Sequence, residues 1–199
     1  LPKIVDHDQR RADVVSATWR LIARDGIEGA TMREIAAEAG FANGALKPYF
    51  GSKEHLLAFA FEHVFHETNK RIDTATGINT GLAALRVFCH EVLPLDEEKE
   101  SEARIVIGFW QRALGDTSKS ALHERSMELW RERILVHLRD ARAAGETFST
   151  VSDEDFAGIL MNMLLGAQIS VALAPGTSTR LQLISQLEAM LNLLQTPQT

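Results

Sequence analysis

The chain has 199 residues, 45% of them hydrophobic, with 21 Lys and Arg against 27 Asp and Glu for a net charge of −6. That composition excludes disordered and collagen-like classes and suits a packed globular chain. Charge is unevenly placed: residues 1–53 carry eight Lys/Arg and seven Asp/Glu, for +1, and residues 54–199 carry thirteen and twenty, for −7. A nucleic-acid partner is therefore expected to meet only the first quarter, where a small basic footprint on one face suffices.

The longest apolar stretches are broken by polar residues short of the roughly 18–20 needed to span a bilayer, and "LPKIVDHDQRR" lacks the apolar core of a leader peptide. A cytoplasmic location is the expectation. The single cysteine, Cys89, has no intrachain partner for a disulfide.

Nearly every segment reads as helix. From Asp8 to Arg24, Val14, Val15, Ala17, Thr18, Leu21 and Ile22 make one apolar stripe, ended by Gly26 and Gly29. Thr31 and Glu34 form a capping-box pair opening a short helix over 31–39, which Gly40 stops. A second short helix is expected over 42–48. Ser52 heads a longer one, with Leu56, Phe59, Ala60, His63 and Val64 at helical spacing. A break at "TATGINTG" precedes a helix ending at Pro94, and Asp96 caps the next, to about 114. Helices at about 120–143, 153–173 and 179–195 complete an all-α chain of about nine helices, with no period-two run of β-formers.

Two short helices joined by a glycine turn, with a third helix before them, are the pattern of a helix-turn-helix. Gly40 permits the left-handed turn, Phe41 plugs the gap between helices, and Gly44 and Ala45 remove bulk where backbone meets DNA. Pro48 lacks an N–H and clashes with the carbonyl of Gly44, so the second helix must end there. It also biases Lys47 away from helical angles. Two turns measure roughly 10 Å, about what lies along a major groove.

The stretch "TMREIAAEAGFANGALKPYFGSKEHLL" resembles the DNA-binding domain of the TetR family of transcriptional repressors, over roughly residues 8–60. The rest, particularly "VLPLDEEKESEARIVIGFWQRAL", more loosely resembles the C-terminal domain of BetI-like repressors. The resemblance implies a helix-turn-helix domain at 1–51 and a ligand-binding and dimerisation domain at 52–199. Position 42 is Ala where the family usually has Ser, 45 is Ala where Thr is common, and 47–48 are Lys-Pro where Tyr with a polar residue is usual. These departures bear on which operator is read.

Carried over by position, the resemblance gives roles to Thr31, Arg33, Asn43, Gly44, Ala45, Lys47, Tyr49 and Lys53. Asn43 pairs with an adenine edge, Ala45 meets a thymine methyl and Lys47 reaches a guanine or a phosphate. Tyr49 and Lys53 hold phosphate, with Lys53 at a helix N-terminus, and Thr31 and Arg33 touch the backbone. Lys3, Arg10 and Arg11 are supporting charges.

A palindromic operator needs two such units, so double-stranded DNA and a homodimer are the implied partners. The helix at 153–173 is apolar on two faces, one with Phe156, Leu160, Met163, Leu164 and Ala167, the other with Gly158, Ile159, Gly166, Ile169 and Leu173. Phe156, Leu160, Met163 and Ala167 are taken as the dimer interface, with Ile184, Leu187, Leu191 and Leu194 of the last helix. An inducer pocket is expected among Phe109, Trp110, Met127, Trp130, Asn162, Met163 and Gln168, a surplus of large, soft side chains with scattered polar groups. The family resemblance implies a small-molecule inducer whose binding shifts the helix at 52–75 and thereby the DNA-binding heads.

An enzyme is the first alternative. No Walker loop, G-x-G-x-x-G, G-x-S-x-G or H-E-x-x-H occurs. "HVFHE" places His63 and His66 near Glu62 and Glu67, which as a surface face needs no metal, so no metal and no cofactor are expected. The second alternative is a helical small-molecule-binding module without DNA binding, motivated by Ala42 and Ala45.

Overall fold

The computed structural model describes residues 7–42, 44–174 and 176–195. Among the described residues it has eight α-helices: α1 His7–Gly29, α2 Met32–Glu38, α3 Lys53–Thr76, α4 Gly81–Val92, α5 Glu97–Ala113, α6 Thr117–Ala143, α7 Asp153–Leu173 and α8 Arg180–Gln195. Lys3 and Asn43, both given roles above, lie outside the described residues.

Most helix starts follow from capping chemistry. Thr31 and Glu34 form the expected box, Ser52 accepts a bond from the His55 amide and Asp96 from the Lys99 amide. Asp116 caps α6 by accepting from the Ser118 and Lys119 amides, which moves its start ahead of the position read from sequence. Gly26, with φ 71° and ψ 173°, breaks α1 before its last turn, as a glycine stop should.

Residues 44–49 differ from expectation. Instead of an α-helix they form consecutive tight turns, with amide bonds from Ala45 to the Ala42 carbonyl, Lys47 to Gly44 and Tyr49 to Leu46 at 3.0, 3.2 and 2.9 Å. Two causes are visible in the residues. Gly44 has φ +84°, outside the right-handed helical region, and Pro48 has no N–H to give to the ladder.

Two apolar cores result. One joins α1, α2, the turn segment and the first half of α3 through Val15, Leu21, Ile35, Leu46, Phe50 and Leu57, and takes in Ile105, Val106 and Phe109 of α5. The other joins α4, α6, α7 and α8 through Leu85, Phe88, Ile134, Leu160, Leu164 and Leu187. Each fully buried Leu or Phe contributes about 1.5–3 kcal/mol. α5 therefore belongs to the first core although it sits in the C-terminal half of the chain.

α7 has the length and hydropathy of a membrane span, contrary to the reading of its apolar runs as too interrupted. In the structure one of its faces, with Phe156, Leu160, Leu164 and Val171, packs against its own chain.

Candidate nucleic-acid interface and ligand pocket

The sequence-predicted contact residues gather around α2, the turn segment and the start of α3. Thr31 holds the N-cap of α2: its hydroxyl accepts from the Glu34 amide at 3.3 Å and donates to Glu34 Oε2 at 2.6 Å. Its side chain therefore builds the helix end that presents the exposed Arg33. Gly44 and Lys47 are exposed, whereas Ala45 is half-buried against the domain. Tyr49 is half-buried, and its phenol oxygen accepts a hydrogen bond from Arg10 at 3.2 Å, tying α1 to the turn segment. Lys53 opens α3, where the helix dipole favours an anion beside it.

Other basic side chains of this region serve the fold. Arg20 and Arg24 both reach Glu38, at 2.7 and 3.6 Å, locking α1 to α2. The guanidinium of Arg10 lies 5.7 Å from the Phe41 ring centre and that of Arg11 5.9 Å from Phe59. Arg33 and Lys47 remain exposed beside these pairs.

Deeper in the chain a narrow cavity of about 20 Å3, room for about one water, lies between α3, α5, α6 and α7. Its walls are Phe61, Val64, Phe65 and Thr68 of α3, a stripe from Lys99 and Glu102 to Trp110 on α5, Met127 and Trp130 of α6, Gln168 of α7, and Val92. Trp110, Met127, Trp130 and Gln168, named above for the inducer pocket, line this cavity. Phe109 is not in the lining but fully buried behind it. Asn162 is exposed on a separate surface depression with His123 and Met161, and Met163 packs against the C-terminal core.

The α3 wall and the charged end of the pocket were not anticipated. Phe61, Phe65 and Thr68 continue the helical stripe of Val64, and Glu102 is a carboxylate in the middle of the apolar stripe of α5. A charged residue at a core position was the available signal. Glu102 is 5% exposed and receives both terminal nitrogens of Arg71, at 3.0 and 2.8 Å. Burial pushes its carboxyl above the usual range, with Arg71 pulling the other way. Lys99 donates to the His90 carbonyl and pairs with Glu91, each at 3.2 Å.

His63 lies against Trp19 with ring centres 5.8 Å apart and planes inclined by 51°, and burial lowers its pKa, while His66 is exposed. The pair thus does not converge on one point. Among the described residues no group of three or more metal-ligating side chains occurs.

The residues named for dimerisation are a correction. Phe156, Leu160, Ala167, Leu187, Leu191 and Leu194 are buried within their own chain, and Met163 and Ile184 are half-buried against the same core. Of the two apolar stripes on α7, the one with Phe156, Leu160, Leu164 and Ala167 faces inward. The exposed large apolar side chains of α7 and α8 are Ile159, Ile169, Leu173, Leu181 and Leu193.

Comparison with known proteins places these features in context. Residues 82–195 match the family described as BetI-type transcriptional repressor, C-terminal, and residues 14–59 match bacterial regulatory proteins, tetR family. The HTH-type transcriptional regulator PksA of Bacillus subtilis is 38% identical over 110 residues, covering 55% of this chain and 54% of that protein. The HTH-type transcriptional regulator BetI of Burkholderia ambifaria is 34% identical over 124 residues, covering 58% and 61% respectively. The chain thus spans little more than half the length of the curated relatives it matches. Among solved structures, a transcriptional regulator from Saccharomonospora viridis in complex with choline superposes with a TM-score of 0.84 at 20% identity, over 93% of this chain and 96% of that one. One from Rhodococcus sp. Rha1 gives 0.80 at 23%, over 92% and 95%. These two share the fold.

Proposed function

Since the chain belongs to the tetR family of bacterial transcriptional regulators and carries a BetI-type C-terminal domain, we propose that it is a ligand-responsive repressor binding a palindromic operator as a homodimer. The observation that carries this reading is the surface at α2 and residues 44–49, where exposed Arg33, Gly44 and Lys47 adjoin the capped start of α3. Arg33, Tyr49 and Lys53 hold phosphates, Asn43 and Lys47 meet base edges, and Thr31 shapes the helix end beside them. Residues 1–51 serve as the DNA-binding unit and 52–199 as the unit for ligand and partner, in the cytoplasm.

The second copy docks on the outward face of α7 and α8, through Ile159, Ile169, Leu173, Leu181 and Leu193. Among the described residues, half of the exposed large apolar side chains lie on these two helices. A small molecule occupies the pocket between α3, α5, α6 and α7; that a protein of this fold takes a small molecule at all is seen in the Saccharomonospora viridis neighbour, solved in complex with choline.

Coupling runs through both α3 and α5. α3 carries the DNA-contacting Lys53 at one end and pocket-lining Phe61 and Phe65 further along, while α5 packs on α1 and lines the pocket as well. A ligand that parts these helices changes the spacing of the two heads from the roughly 34 Å that successive major grooves demand. A hundredfold loss of DNA affinity needs about 2.7 kcal/mol of differential ligand binding.

The test separates base readout from phosphate contact. Lys53→Ala should weaken binding about equally for all sequences and reduce the salt slope by about one, whereas Asn43→Ala should change the preferred bases. A shifted sequence preference with Lys53→Ala, or an unshifted one with Asn43→Ala, reverses the assignment.

A further inference from the structure

The pocket between α3, α5, α6 and α7 carries two formal charges in its lining, and both are already compensated. Glu102 is held by both terminal nitrogens of Arg71, and Lys99 by Glu91, Asp96 and the His90 carbonyl. A charged occupant would add an uncompensated ion to a site that is otherwise electrically closed, or would have to break a buried pair. Its apolar walls are Phe61, Val64, Phe65, Val106, Met127 and Trp130.

Two polar atoms in the lining are not satisfied. Gln168 is 6% exposed and donates its amide N–H to the Val92 carbonyl at 3.3 Å, which fixes the orientation of the group. Its Oε1 is buried and, among the described residues, has no hydrogen-bond partner. The indole N–H of Trp110 is likewise buried without one. Leaving such groups desolvated and unpaired is costly, and an occupant that pairs with them recovers that cost. One orphan is an acceptor and the other a donor. Their combined complement is a group, or a pair of groups, that both donates and accepts without carrying charge. The two lie toward opposite ends of the α5 wall: Gln168 is bonded to Val92 just before α5, and Trp110 stands roughly 12 Å along the helix from Glu102.

We infer that this pocket, about 20 Å3 as it stands and so widened by its occupant, takes an uncharged, largely apolar molecule bearing a hydroxyl or amide group whose proton is received by Gln168 Oε1. This rests on the reading of the pocket as the inducer site, and it excludes quaternary ammonium and carboxylate compounds as preferred occupants. The aromatic side chains make a continuous wall: Phe61 and Phe65 are stacked at 6.5 Å, and Phe65 meets Trp130 at 5.2 Å. A wall of that kind matches the face of a ring system.

The experiment uses four probes on one scaffold: 2-naphthol, naphthalene, 2-naphthoate and 2-naphthyltrimethylammonium. Binding to the full chain is followed by tryptophan emission. 2-Naphthol should bind at least about tenfold more tightly than each of the others, or about 1.4 kcal/mol. In Gln168→Met, a near-isosteric change that removes the acceptor, the preference for 2-naphthol over naphthalene should fall to about threefold or less. A charged probe that binds as tightly as 2-naphthol overturns the inference, as does a preference undiminished in Gln168→Met or the absence of saturable binding by any probe below about 1 mM. Operator binding by the same preparation without probe tests the proposed function separately, so either can fail while the other stands.

Discussion

Phe61 and Phe109 stack face to face, with ring centres 4.1 Å apart and planes inclined by 11°. Phe61 is part of the pocket wall, and both rings belong to the core that packs α1, α2 and the turn segment. A displacement of α3 by a ligand cannot leave α5 unmoved without breaking this stack, which is worth roughly 0.5–1.5 kcal/mol beyond its buried area. Phe109→Leu should lower stability by on the order of 1–2 kcal/mol, leave ligand affinity nearly unchanged and blunt operator release. Titrating release in the variant checks this; full release at the same ligand occupancy would assign coupling to α3 alone.

Gly44 sits at φ +84° with open space where a Cβ would go. The glycine is therefore required by backbone angle, whereas the sequence suggested relief of bulk. Gly44→Ala should cost on the order of 1–2 kcal/mol locally. Because Gly44 itself is exposed beside Lys47, the cost should fall mainly on DNA affinity, about tenfold, with a melting temperature changed by only a few degrees. An unchanged gel shift would show that this backbone geometry is not needed for binding.

The helices and their caps were legible because capping pairs and apolar stripes are local. Thr31–Glu34 and Ser52 needed only neighbouring residues. Two features were not legible, for physical reasons. On α7 both faces are apolar, so periodicity alone does not say which one meets the rest of the chain, and the inward Leu160 was taken for the outward Ile159. The Lys99, Glu102, Arg71 and Glu91 network joins residues of α3, α4 and α5 that sequence spacing does not connect. For the pocket, the aromatic surplus pointed to Trp110 and Trp130, but Phe109 lies one position off the lining stripe, a distinction of helical phase.

The reassigned faces of α7 and α8 make a paired prediction. Ile169→Glu combined with Leu193→Glu places charge on exposed positions and should yield folded monomers in light scattering, with helix content unchanged. Leu187→Glu buries an unpaired charge in the chain's own core and should lose the fold outright, at a cost of at least about 3 kcal/mol. A folded monomer from Leu187→Glu would restore the interface first read from the sequence.

Acid should destabilise the protein through its histidines. Burial lowers the pKa of His63, His90, His123 and His137, and both ring nitrogens of His137 are buried with no partner among the described residues. The unfolded chain then binds more protons than the folded one as pH falls below about 6.5, so stability is full above that pH and declines below it. Urea melts at pH 7.5 and 5.5 should show the loss, and His137→Leu should make it shallower. Equal stability at both pH values in the wild type would contradict the burial of these rings.

The central claim is sequence-selective DNA binding by the surface of α2, residues 44–49 and the start of α3. The most direct measurement is a gel shift of the full chain against the DNA flanking its own gene, in a salt series with unrelated DNA as competitor. The account predicts a discrete complex that survives competitor, weakens steeply with salt and is lost in Arg33→Ala combined with Lys47→Ala. No complex at low salt, or one that unrelated DNA removes equally well, would contradict it and leave a ligand-binding module in its place.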